Sequence, residues 1–106
     1  MNQYRQGDVL LIRVDSIPAD VTKVKRDKGS VILAYGEVTG HAHRIDDTVA
    51  ELFEKSGVED RFLSVPNGAS LTHEEHGKID LEPGDYTVRI QRSLNPMDLK
   101  PNKVVD

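Results

Sequence analysis

The chain contains no cysteine. That excludes disulfides and thiolate zinc sites, and it leaves imidazole and oxygen as the donors for any metal. It also agrees with a reducing cytoplasm. Aromatic residues make up 5% of the sequence, and Tyr4, Tyr35 and Tyr86 are too few and too scattered for a base-stacking platform. A surplus of positive charge is missing too. The formal net charge is −4, and the one basic run, Lys23, Lys25, Arg26 and Lys28, is interrupted by Asp27 and reads as a solvated hairpin. Binding to nucleic acid or to an anionic membrane needs a local excess of Lys and Arg, so nucleic acid is disfavoured as a partner. Apolar runs such as Val9–Ile12 fall far short of a membrane span, and Met1-Asn2-Gln3-Tyr4-Arg5 lacks the apolar core of a secretory signal. A cytoplasmic protein is expected. No serine-centred nucleophile elbow, phosphate-cradling glycine loop or Walker sequence is present.

What is present is β-sheet patterning. The 106 residues, 37% apolar and 30% charged, suit one globular domain with a single core. Turn signals recur every eight to twelve residues between segments rich in β-branched residues, the spacing of an all-β domain. Gln6-Gly7-Asp8 reads as a turn before Val9–Val14, a strand apolar on both faces and therefore central. Val21–Arg26 predicts a more exposed strand, Asp27–Ser30 a turn, and Val31–Gly36 a second apolar strand. Val49–Glu54 carries apolar residues at both helical and strand spacing, and its shortness favours a strand. Arg61–Val65 and Ala69–His73, joined by Pro66-Asn67-Gly68, predict a hairpin. After Ile79 and Leu81 comes a turn at Glu82–Asp85, then Tyr86–Arg92 as an amphipathic strand facing the core with Tyr86, Val88 and Ile90. Tyr35 and Tyr86 are expected in the core with their hydroxyls at the rim.

These elements predict a compact, mainly antiparallel β-barrel or β-sandwich of about seven to eight short strands with little helix. Residues 1–92 would form the single β domain, and 93–106, broken by Pro96 and Pro101, an extended C-terminal tail packing on the domain or on a partner.

All four histidines fall in two short clusters, Gly40-His41-Ala42-His43-Arg44-Ile45 and His73-Glu74-Glu75-His76-Gly77. Strand alternation puts His41 and His43 on the face that carries Ile45, and His73 on the face that carries Ala69 and Leu71. Buried neutral imidazole needs a partner for each ring nitrogen, and a metal or a carboxylate supplies one. His41, His43, His73 and His76 with Glu74 or Glu75 are thus the candidate ligands for a divalent metal such as Zn, Fe, Mn or Ni. Glu37, Asp46 and Asp47 are further oxygen candidates in sequence. The spacing of His73 and His76 does not match the helical His-Glu-x-x-His pair of zincins. Arg44, Arg89 and Arg92 could flank the histidines and bind an anion, or serve as surface charge. Two other readings of the clusters stand beside the metal: ordinary hydrogen-bonded histidines at glycine-bounded turns, and a metal-free acid–base or pH-sensing group.

The order of Gln6-Gly7-Asp8-Val9-Leu10, Gly40-His41-Ala42-His43-Arg44, His73-Glu74-Glu75-His76-Gly77-Lys78-Ile79-Asp80-Leu81, Gly84-Asp85-Tyr86 and Gln91-Arg92 resembles a family of small uncharacterised proteins of bacterial genomes, phages and other mobile elements. The resemblance carries no activity with it, and Ser93-Leu94 stand where that pattern has Glu-Tyr. His41 and His43, with Leu81–Asp85, also resemble the His-x-His pair and inter-strand turn of cupins, which implies a β-barrel metal site; the cupin Glu and later His have no counterpart here. A second class of function is a non-enzymatic interaction module, a homodimer pairing through strand edges or exchanging the 93–106 tail.

Overall fold

The computed structural model describes residues 2–36 and 38–91. They form ten strands and no helix: β1 (Gln3–Gln6), β2 (Val9–Val14), β3 (Thr22–Lys23), β4 (Val31–Tyr35), β5 (Ala42–Ile45), β6 (Glu51–Glu54), β7 (Arg61–Val65), β8 (Ala69–Thr72), β9 (Ile79–Leu81) and β10 (Gly84–Ile90). Two antiparallel sheets result, one ordered β1-β2-β10-β7-β6-β3 and the other β4-β5-β8-β9. The all-β expectation holds. The sheets do not close on themselves, and among the described residues no helix is long and apolar enough to cross a membrane. Arg92 and the 93–106 tail lie outside the described residues.

Both sheets face one apolar cluster. Val9, Leu11, Leu52, Leu63, Tyr86 and Val88 reach it from the larger sheet, and Leu33, Ile45, Leu71 and Leu81 from the smaller. β2 sits between β1 and β10, the central place its apolar run predicts. The strand count exceeds the expected one in part because Gln3–Gln6 also pairs, with Gln6 opposite Val9 across a two-residue loop. Gly7 has φ 60° and Asp8 is not among the positive-φ residues, the type II′ pattern that wants glycine first. Three of the four β1 residues are polar, so apolar alternation gives no signal there. Tyr4 and Gln6 nonetheless point inward, and both are buried.

Two features depart from the sequence expectation. Arg61–Val65 and Ala69–Thr72 are strands, but not a hairpin, because they belong to different sheets. Val65 pairs with Gly84, whereas Ala69 pairs with Leu81. The chain therefore changes sheet twice at adjacent corners, at Pro66–Gly68 and again at Glu82-Pro83. Gly68 makes the close approach possible: its φ is 75°, and a Cβ there would lie 2.7 Å from the Leu81 carbonyl oxygen. Gly68→Ala is expected to destabilise the fold by about 2 kcal/mol, through left-handed strain plus that clash, read as a lower urea midpoint.

Tyr35 is the second departure. The apolar pattern predicts it inside, yet it is 64% exposed. A bulge between Ile32 and Ala34 in the β4–β5 ladder inserts one residue and reverses the facing beyond it, so Tyr35 pairs with Ala42 on the outer face. Its hydroxyl donates to the Asp27 carboxylate instead. The two sheets are also tied by Arg61 of β7, whose guanidinium donates to the Leu33 carbonyl of edge strand β4.

Candidate metal centre

The register of β5 and β8 builds the site. Ile45 pairs with Leu71 and Arg44 with Thr72. Ile45 and Leu71 are fully buried, each contributing about 2 kcal/mol of burial, so this apolar pair holds the register. Continuing it past the strand ends sets His43 opposite His73, Ala42 opposite Glu74 and His41 opposite Glu75. The contacts follow that order. The His43 and His73 rings lie 4.3 Å apart between centroids, the Ala42 N–H donates to Glu74 Oε1 at 3.0 Å, and His41 Nδ1 is 3.6 Å from Glu75 Oε2. His73 also meets His41 edge-on at 5.8 Å and His76 at 4.7 Å. One donor atom from each of His41, His73 and Glu74 lies within 4.8 Å of the other two.

A third segment completes the site, and the histidine pattern alone does not reveal it. Gln6, 3% exposed, gives its amide hydrogens to the carbonyls of Leu71 at 3.0 Å and Gly77 at 2.9 Å. Its Oε1 is thereby turned to His43 Nδ1 at 2.8 Å. Gly7 lies against the rings, since a Cβ there would sit 2.8 Å from His76 Nε2 and 3.2 Å from His43 Cε1. Asp8 Oδ1 stands 3.7 Å from His43 Nε2. The turn at Gln6-Gly7-Asp8 is thus the floor of the histidine cluster as well as a hairpin loop. The available signal is a glutamine at an inward strand position two residues after Tyr4, where an apolar residue is the norm.

Burial pushes the His43 imidazole down to about 4, with the neighbouring His73 adding to the effect and Asp8 opposing it. His73 is lowered as well, by burial first and then by His76. Both rings are therefore neutral at pH 7. The backbone N–H of Glu75 donates to His73 Nδ1 at 3.0 Å, so the neutral ring carries its proton on Nε2. That Nε2 is buried and has no hydrogen-bond partner. The Ala42 N–H holds the Glu74 carboxyl below the usual carboxylate range, and the Arg44 guanidinium adds to this from 2.9 Å away.

All four histidines and both adjacent glutamates are thus brought to one place. His43 is the buried member at 1% exposure, while His41 precedes β5 and stays half-buried. Asp46 and Asp47 are not at the site: Asp46 accepts from Ser30 Oγ, and Asp47 accepts the backbone N–H groups of Val49 and Ala50. Glu37 lies outside the described residues. Arg44 braces Glu74, and Arg89 pairs with Asp60 on the other sheet. Beside His41, on the outer face of β4 and β5, a cleft of about 720 Å³ is lined by Tyr35, Ala42 and Arg44 among others.

Fold and site define an all-β protein with an imidazole–carboxylate cluster where two strand ends meet a hairpin loop. The chain belongs to the family described as a domain of unknown function, DUF8820, which covers residues 5–91 and so includes Gln6, Asp8 and all four histidines. No curated protein and no solved structure matches it.

Proposed function

We propose that this protein binds a divalent transition metal through His41, His73 and Glu74. The observation that carries the reading is the mutual approach of their donor atoms, from chain segments some thirty residues apart, to within 4.8 Å. The orphaned Nε2 of His73 supports it, because a buried polar atom without a partner costs about 1–3 kcal/mol. Two imidazoles and a carboxylate suit Zn, Fe(II), Mn or Ni, and a set of three protein donors leaves positions open. Glu74 can still ligate while it accepts from Ala42 and pairs with Arg44, since a carboxylate has about four lone-pair sites. A bound cation there would act as a Lewis acid toward a small molecule entering from the cleft beside His41.

His73 gives the reading a specific signature. Coordination through Nδ1 uses the lone pair that accepts the Glu75 N–H, and coordination through Nε2 moves the ring proton onto Nδ1. Either way that hydrogen bond breaks. Titration with Zn(II), Mn(II) or Ni(II) is expected to raise the melting temperature by about 10 °C or more at a hundredfold excess over Kd. The Glu75 amide resonance should shift at the same time, and His41→Ala or Glu74→Gln should abolish that shift. A melting temperature unmoved by all three metals sinks the proposal.

A further inference from the structure

We infer that Asp8 and His43 form a second cation position, next to the first but built from different donors. Gln6 fixes which nitrogen of the His43 ring is protonated. Its amide nitrogen faces two backbone carbonyls, Leu71 and Gly77, which only accept. The opposite amide orientation would set oxygen against both, so the assignment is fixed by the network. Oε1 must therefore be the atom at 2.8 Å from His43 Nδ1, and Nδ1 must carry the ring proton.

The consequence falls on the other nitrogen. In the neutral ring Nε2 has a bare lone pair, and it faces Asp8 Oδ1 at 3.7 Å. Two acceptors, one on a ring 1% exposed and one on a carboxylate 17% exposed, thus confront each other with no proton to share. A divalent ion bound at about 2.1 Å to each would see them at roughly 120°, within the reach of tetrahedral or five-coordinate geometry. An imidazole whose Nδ1–H is held by a carbonyl-type oxygen, with Nε2 left free, is the arrangement that orients metal-bound histidines. Water would complete the shell, and His76 walls the position. Its ring stacks on His43 at 5.7 Å and 18°, and its Nε2 lies against Gly7, where a side chain would fill the space.

None of His41, His73 or Glu74 belongs to this set, so it stands independently of the outer site. The two meet where the His43 and His73 rings touch.

Zinc stoichiometry by native mass spectrometry separates the possibilities. Wild-type protein should hold two Zn(II) per chain, Asp8→Asn one and Glu74→Gln one. Asp8→Asn keeps a residue suited to the hairpin loop, and its unfolding curve confirms that it folds. As a second readout, the Glu74→Gln protein loaded with Co(II) should show visible d–d absorption that disappears on adding Asp8→Asn. An Asp8→Asn protein with wild-type stoichiometry overturns the inner position, whatever the wild-type count. Stoichiometry lowered by Asp8→Asn but untouched by Glu74→Gln supports the inner position and overturns the outer one instead. No bound zinc in any variant overturns both.

Discussion

Gln6→Leu is expected to destabilise the protein by about 3 kcal/mol, lowering the melting temperature by more than 10 °C. The side chain is nearly isosteric, so little volume is lost. What is lost is three contacts at once: the carbonyls of Leu71 and Gly77 and the His43 Nδ1–H each lose their hydrogen bond to the Gln6 amide. Buried groups left unpaired each cost about 1–3 kcal/mol, and neither leucine nor water can replace an amide in a site 3% exposed. Gln6→Glu divides the effect. It keeps an acceptor for His43 but sets a carboxylate against two carbonyls, and it should raise the His43 pKa, read by ring NMR. A Gln6→Leu protein less than about 1 kcal/mol below wild type would show that Gln6 does not organise the site.

The metal-free protein should lose stability in acid through His43. Its folded pKa of about 4 lies below the ordinary 6.5, so the unfolded chain takes up the proton first. Stability from the neutral ring is therefore complete above pH 6.5 and is lost as pH falls towards 4. The shift corresponds to roughly 3 kcal/mol across that window. His73, lowered for the same reason, acts in the same direction, and so does Glu74, whose depressed carboxyl contributes above its unfolded value and fails lower still. Urea midpoints measured from pH 7 to pH 4 should fall steeply for wild type and less steeply for His43→Gln. Equal slopes would mean that the buried ring does not set the acid sensitivity. Metal affinity should weaken over the same range, because protons compete for the imidazoles.

How much of this was legible in the sequence depended on whether the cause was local. Val9–Val14, Val31–Tyr35 and the turn at Asp27–Ser30 announce themselves through runs of β-branched residues and turn chemistry, and the structure has them. The inward facing of His43 followed from Ile45 two residues on, and Leu71 plays the same part for His73. Alternation gives a residue's face but not its strand partner. Pro66-Asn67-Gly68 therefore looked like a hairpin turn when it is a corner between sheets. Tyr35 was misplaced because a bulge leaves no trace in the pattern of apolar residues. Gln6 and Asp8 look like turn residues in sequence, since their role exists only once β1 lies beside the histidines, some forty to seventy positions away. The four histidines and two glutamates could be singled out by type, whereas the residues that fix their protons could not.

The central claim is that His41, His73 and Glu74 are metal ligands, and anomalous scattering from crystals grown with Zn(II) tests it most directly. The account predicts a zinc-edge peak within about 2.3 Å of a nitrogen of both His41 and His73 and of a Glu74 carboxylate oxygen. A fully ordered histidine cluster with no anomalous peak near those three side chains, at zinc concentrations in the millimolar range, would contradict it.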